Sequence, residues 1–156
     1  MSDKKEIIPI ACDHGGFETK EYLVKFLREK GYEMKDLGTF SPDSVDYPDF
    51  IHPIAKAVND KVYRRGIILC GSGVGACIAA NKIKGIYAAV CHDTYSAHQG
   101  VEHDNMNVLC LGARIVGAEL AKELVQAFLA AKFSSDVERH VRRVNKIYQL
   151  EKNANE

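Results

Sequence analysis

Apolar residues along the chain gather in five short runs, at 7–12, 32–37, 66–70, 86–91 and 107–111, most of them continuous rather than alternating. Runs of that kind read as strands buried on both faces. Between them, apolar positions recur at the three- and four-residue spacing of helices: 17–30, stopped by Gly31; 50–62; 75–83, stopped near Gly85; 94–103; and 117–132. Strict alternation of strand and helix predicts an α/β fold, a five-stranded parallel sheet with helices on both faces. A last segment, 134–150, opens on the cap-forming residues Ser134, Ser135 and Asp136 and sets Val137, Val141, Val144, Ile147 and Leu150 at helical spacing. Its polar face holds Arg139, His140, Arg142 and Arg143, and no strand follows it. It is either an ordinary terminal helix with a solvated face or, the reading favoured here, a helix that packs on a partner subunit.

The 156 residues fit one domain, 1–156, and 46% of them are hydrophobic, enough for an ordinary core. Lys plus Arg and Asp plus Glu both number 21, so no global field draws the protein to nucleic acid or an anionic membrane. Any anion it binds must be held by local geometry. No apolar run approaches the ~20 residues of a membrane span, and the start MSDKKEIIPI lacks the apolar core of a secretory signal. A cytoplasmic protein is expected. Cysteines at 12, 70, 77, 91 and 110 are odd in number and lack CxxC spacing, so they read as reduced thiols rather than a disulfide framework or a zinc site.

Ligands of open α/β sheets bind outside the carboxyl ends of the strands, and here those ends are chemically rich. The first is followed by Cys12-Asp13-His14-Gly15-Gly16, the second by a loop with Asp46-Tyr47-Pro48-Asp49, and the third by Cys70 and the loop Gly71-Ser72-Gly73-Val74-Gly75. His92 and Asp93 follow the fourth, Gly112-Ala113-Arg114 the fifth. Gly71, Gly73 and Ala76 fit a relaxed dinucleotide fingerprint, with Asp93 further on. Against that reading, the motif sits on the third strand, no G-K-[ST] follows, and the chain has no room for a separate substrate domain. The loop is better read as a nest of backbone N–H groups for an oxyanion, with the Ser72 hydroxyl as an added donor. Cys70 then stands where a thiolate can act as base or nucleophile, while Cys12, Cys77, Cys91 and Cys110 are expected to be small buried residues.

A thiolate beside an anion nest, with imidazoles near, suits proton transfer between the adjacent carbons of an aldose and a ketose through an enediolate, whose oxygen the nest would stabilise. A cyclic sugar phosphate must first be opened by an acid/base group, for which His103 is the candidate; His98 lies on a different helix face. His14, Arg114, Arg139, His140 and Arg143 are candidates for fixed cations toward a phosphate.

The stretches CDHGGFETK (12–20), DYPD (46–49), CGSGVGACIAANK (70–82), EHDNMNVLCLGARIVG (102–117) and ERHVRRV (138–144) together resemble the ribose/galactose isomerase family, which holds the type B ribose-5-phosphate isomerases and the galactose-6-phosphate isomerase subunits. The likeness covers nearly the whole chain in the same order. It implies a Rossmann-like three-layer αβα sandwich and a cofactor-independent aldose–ketose isomerase, working as a homodimer or a dimer of dimers with active sites between subunits; no Cys, His or Asp spacing in the chain is ligand-like for a metal. By motif it implies Cys70 as general base, with Ser72 among the catalytic groups and Gly71, Gly73, Val74 and Gly75 in the anion-hole loop. Asp13 and Tyr47 would meet the sugar, His103 would open the ring, and His14, Arg114, Arg139 and Arg143 would hold the phosphate, some of them across the dimer. One subdivision of the family places a glutamate base after the loop; that position is Ala76 here, which points to the cysteine-base kind. Where the family usually has asparagine after the ring-opening histidine, this chain has Asp104 and only then Asn105. An ionised aspartate accepts but cannot donate, so Asn105 is expected to take over that contact. The expected reaction is interconversion of ribose 5-phosphate and ribulose 5-phosphate in the non-oxidative pentose phosphate pathway, with allose or galactose 6-phosphate as the alternative. A nucleotide-binding or redox-sensing module is the reading from a different class.

Overall fold

The computed structural model describes residues 5–154. Five strands, β1 (Ile7–Cys12), β2 (Glu33–Asp36), β3 (Gly66–Cys70), β4 (Ala88–Val90) and β5 (Val108–Gly112), form one parallel sheet in the order β2-β1-β3-β5-β4. The helices are α1 (Phe17–Glu29), α2 (Tyr47–Asn59), α3 (Val74–Ala80), α4 (Thr94–Asp104), α5 (Ala118–Ala130) and α6 (Glu138–Asn153). The expected α/β sandwich is therefore present, with α1, α4 and α5 on one face and α2 and α3 on the other. No helix among the described residues is long and apolar enough to cross a membrane.

Continuous apolar runs became strands because the central positions are covered twice. Every residue of β3 and β5 is buried. Ile67 and Leu69 on β3 join Leu23, Leu27, Leu109 and Phe128 on one face, while Ile68 joins Ile51, Ile54, Val58 and Cys110 on the other. Each fully buried aliphatic side chain of this kind contributes about 1.5–3 kcal/mol of transfer free energy. The edge strands are shorter than their apolar runs. At β4, side chains take the backbone groups that would have extended the ladder: Asn107 Oδ1 accepts from Tyr87 N–H (2.9 Å), and Asn81 Oδ1 accepts from Ala88 N–H (2.8 Å).

Two helix boundaries differ from the sequence expectation. α2 starts at Tyr47 and not at 50, because Pro48 sits in its first turn, where a missing N–H costs nothing. α6 spans Glu138–Asn153 rather than 134–150: Ser134 N–H donates to Glu102 O on α4 (2.9 Å), so the serines anchor the connection and do not cap the helix. α6 packs on α4 of its own chain, burying His140 and Val144.

One buried charge ties the first layer together. Lys20 on α1 is wholly buried, and its ammonium donates to both oxygens of Asp36 at the end of β2 (2.8 and 2.7 Å) and to Glu21 (2.8 Å). Burial works against the charge, but the hydrogen bonds to Asp36 and Glu21 outweigh it and hold the pKa above the ordinary lysine value. Asp36 also accepts from Gly38 N–H (3.0 Å), which aims the following loop across the end of β1. Because the folded pKa is raised, the pair's contribution is intact at neutral pH and is lost only as pH rises through that raised value. Lys20→Met is expected to lower the unfolding free energy by about 3 kcal/mol, the low end for a broken buried pair because Asp36 keeps some contact with water. The shift of the urea midpoint measures it.

Candidate active site

β1, β3 and β5 end side by side, and the helices that follow them part: α1 and α5 go to one face, α3 to the other. Such parting opens a crevice at the strand ends, with β3 in the middle of it. Cys70, the last residue of β3, is 5% exposed, and its Sγ accepts from Gly73 N–H (3.1 Å). That contact needs the left-handed turn at Gly73 (φ +80°), which begins α3. Ser72 Oγ accepts from Val74 N–H (3.2 Å), so its own hydroxyl proton stays available to a ligand. Cys70 O and Gly71 O accept from Ala113 N–H (2.9 Å) and Arg114 N–H (3.0 Å), which lays the β5 loop along the glycine loop. The approach is close: a Cβ on Gly112 would stand 2.5 Å from Ser72 O.

Neighbouring side chains complete this group. Asp13, nearly buried, accepts through Oδ1 from Gly15 N–H (2.9 Å) and Gly16 N–H (3.3 Å). Its other oxygen makes no hydrogen bond to any described residue. Gly15 packs on Gly71, and Arg114 lies over Gly71, with Nη1 3.3 Å from where a Cβ would be. His14 Nδ1 accepts from Val45 N–H (3.2 Å), joining the β1 loop to the segment before α2. The Tyr47 ring covers Gly75, its Cζ 2.9 Å from a Cβ position there. The structure thus gathers Asp13, His14, Tyr47, the residues from Cys70 to Gly75, and Arg114.

His103, Asp104, Asn105, Arg139 and Arg143 lie elsewhere. α4 runs from the strand-end edge, after β4, back to the edge where β5 begins. There Gly66 N–H, at the start of β3, donates to Asn107 O (2.9 Å). The length of a five-residue strand, about 15 Å, separates this edge from Cys70. His103 stacks on His140 with ring centroids 4.0 Å apart, and Gln99 Nε2 lies 3.0 Å from its Nδ1. With the amide donating, the ring proton sits on Nε2. Asn105 ends α4 in the left-handed conformation (φ 55°) and donates its amide to Tyr148 Oη (2.9 Å). That bond uses one of the two amide N–H groups and leaves the other, with the amide oxygen, for a further contact.

His140 also departs from its expected part as a fixed cation. It is 4% exposed, and its Nδ1 has no partner among the described residues. Burial, then the neighbouring His103, Arg139 and Arg143, push its pKa below the ordinary histidine value, with Asp104 opposing. It is a neutral ring against which His103 is held. Three of the other cysteines are buried as expected: burial pushes Cys12 up to about 12, Cys91 up to about 11 and Cys110 well above the ordinary thiol value. Cys77 differs. It is half-buried, and a hydrogen bond with the Cys110 thiol lowers it to about 7.

Sequence reasoning missed Lys20, Gln99 and the use made of His92. His92 Nε2 accepts from Gly112 N–H (2.9 Å), clasping the end of β4 to β5 beside the glycine loop. Its place directly after a strand was the available signal.

A family model described as Ribose/Galactose Isomerase matches residues 8–147. Ribose-5-phosphate isomerase B of Escherichia coli K12 is 44% identical over 148 residues, 95% of this chain and 98% of that protein. D-erythrulose-4-phosphate isomerase of Pectobacterium atrosepticum is 43% identical over 81% of this chain and 84% of its own length. Among solved structures, ribose-5-phosphate isomerase B of Clostridium thermocellum superposes with a TM-score of 0.90 at 46% identity, covering 95% of this chain and 99% of that one.

The buried His140 imidazole has a consequence for acid stability. The unfolded chain takes up the His140 proton before the folded one does, so the stability His140 contributes is present above its unfolded pKa and is lost as pH falls through the lower folded value. Urea midpoints compared between about pH 7 and pH 5 are expected to fall less for His140→Phe than for the unaltered protein. An NMR titration should find the His140 ring protonating below a free histidine.

Proposed function

The chain belongs to the ribose/galactose isomerase family, and on that premise we propose that it interconverts ribose 5-phosphate and ribulose 5-phosphate without a cofactor, as one domain acting in the cytoplasm on the non-oxidative pentose phosphate route. The reading rests above all on Cys70: a buried thiol at the end of the central strand, with a backbone N–H on its sulfur and a glycine loop around it. In this reading the Cys70 thiolate takes the proton from C2 of the opened aldose. Charge moves onto O1, where the loop N–H groups and the Ser72 hydroxyl stabilise it. The proton on O2 passes to O1, and the Cys70 thiol returns its proton to C1, which leaves the C2 carbonyl of the ketose and restores the thiolate. Asp13 and Tyr47 hold the sugar hydroxyls, and Arg114 and His14 attract the phosphate.

The ring-opening His103 and the cations Arg139 and Arg143 come from a second copy of the chain, in a homodimer or a dimer of dimers. Two observations support this. These residues share the edge of the sheet away from their own Cys70, and the surface around Cys70 exposes Val74 (53%), Ile78 (57%), Ile115 (63%) and Tyr95 (64%), an apolar rim suited to a partner. Asp104 follows His103 into the sugar pocket and tunes which sugar is accepted.

A second reading concerns substrate length, because one relative is an erythrulose-4-phosphate isomerase. Purified protein in EDTA is expected to turn over ribose 5-phosphate faster than erythrulose 4-phosphate or allose 6-phosphate. Cys70→Ala should lower the rate at least a hundredfold, roughly what loss of a general base removes. Faster turnover of the tetrose or hexose would move the substrate assignment, and none with any of the three would leave a binding or redox module. Mixing Cys70→Ala with His103→Ala, each inactive alone, should restore about a quarter of the activity if sites are shared across a two-fold dimer. No recovery after subunit exchange would place His103 and Cys70 in one chain's site.

A further inference from the structure

The edge of the sheet where β3, β4 and β5 begin carries a cavity that the proposed chemistry does not use. Its volume is ≈640 Å³, within the range of small-molecule sites. It lies between the turn after α2, the lead-in to β4 and the last turns of α6, a strand's length from the Cys70 of its own chain and on the edge that carries His103.

The charge on its wall is one-sided. Five cations line it, and Arg65 is engaged: its Nε and Nη2 donate to Glu6 (2.9 and 2.8 Å). Lys61, Arg64, Lys84 and Lys152 form no ion pair with any described residue. The carboxylate on the wall, Glu151, accepts from Gly85 N–H (2.8 Å) and from the Tyr87 hydroxyl (2.7 Å). Four cations with no ion pair among the described residues, around one carboxylate in a chain of zero net charge, make a local field for a multiply charged anion.

The backbone supplies a second observation. Lys61 has φ +63°, and Val62 N–H donates back to Ala57 O (2.9 Å), the wrap that glycine usually provides after a helix. Of the six left-handed positions among the described residues, four are glycine, so this chain supplies glycine where only the turn matters. At 61 it keeps a strained lysine whose side chain lines the cavity. The back wall is rigid as well. Tyr87 and Tyr148 meet with centroids 5.2 Å apart, Tyr148 is held by Asn105, and Asn107 donates to Gly85 O (2.9 Å).

We propose that this cavity is a second anion site, separate from the sugar site, which takes a small molecule bearing a chain of two or three phosphates, its charge met by Lys61, Arg64, Lys84 and Lys152. Calorimetric titration of the intact protein with tripolyphosphate and with ATP tests it. Saturable binding, one per chain, is expected, weakened about tenfold or more by Lys61→Gly with Lys84→Gln and unchanged by Arg139→Ala. Isomerase turnover should be unaffected by the Lys61 and Lys84 changes, and Lys61→Gly, which relieves the strained turn, should raise the thermal midpoint. ATP binding tighter than tripolyphosphate would assign the ligand to nucleotides through the tyrosine wall; equal binding would assign it to the phosphates alone. No saturable binding, binding indifferent to the lysine changes, or binding lost in Arg139→Ala, which would place the anion in the sugar site, each overturns the proposal.

Discussion

Where β3 ends, the backbones of three loops come into van der Waals contact, and the rest of the site depends on that approach. Gly15 meets Gly71, and Gly112 lies so near Ser72 O that a methyl group would overlap it. Closeness makes the chemistry possible in two ways. It lets the Gly73 N–H reach the Cys70 sulfur, and it brings the Asp13 carboxylate and the Arg114 guanidinium within reach of one small volume. Side chains at these glycines would push the loops apart before any reacting group was altered.

The layers below hold the loops at that spacing. The Lys20–Asp36 pair fixes the end of β2 against α1, and through the Asp36 bond to Gly38 N–H it aims the segment that runs on to His14 and Tyr47. His92 does the same from the other side by holding the Gly112 N–H. The edge where the strands end is thus braced by polar contacts on both flanks of an apolar centre. At the opposite edge the same economy is absent: several cations form no ion pair with the described residues, and α6 spans the distance from the stacked histidines to Glu151.

The architecture was legible because the strands are buried on both faces and therefore continuous in apolar residues, as at 66–70 and 107–111. Much of the site was legible too, since parallel strands present their chemistry at one end. What escaped the sequence depends on contacts between distant residues. Lys20 reads as the polar face of α1 until Asp36, sixteen positions on, is placed against it. His140 sits among four basic residues and reads as part of a solvated face, yet α4 covers it. The Tyr47 turn looks like a loop because proline usually breaks helices, although its first-turn position permits one. Nothing around Asn105 in the sequence foretells that its amide bonds Tyr148.

The strand order also sets a timetable for assembly. β1, β2 and β3 pair only among themselves and with β5, so a chain lengthening from its amino end can join the first three strands once residue 70 has appeared. β4 pairs with β5 alone, and β5 comes later in the chain. The whole stretch from α3 through α4 must wait, unsheeted, until residues 108–112 slot between β3 and β4, a long-range closure of the slow kind. Cys70 and its glycine loop lie on the seam between these two halves, so β3 lacks its neighbour on that side until β5 is in place.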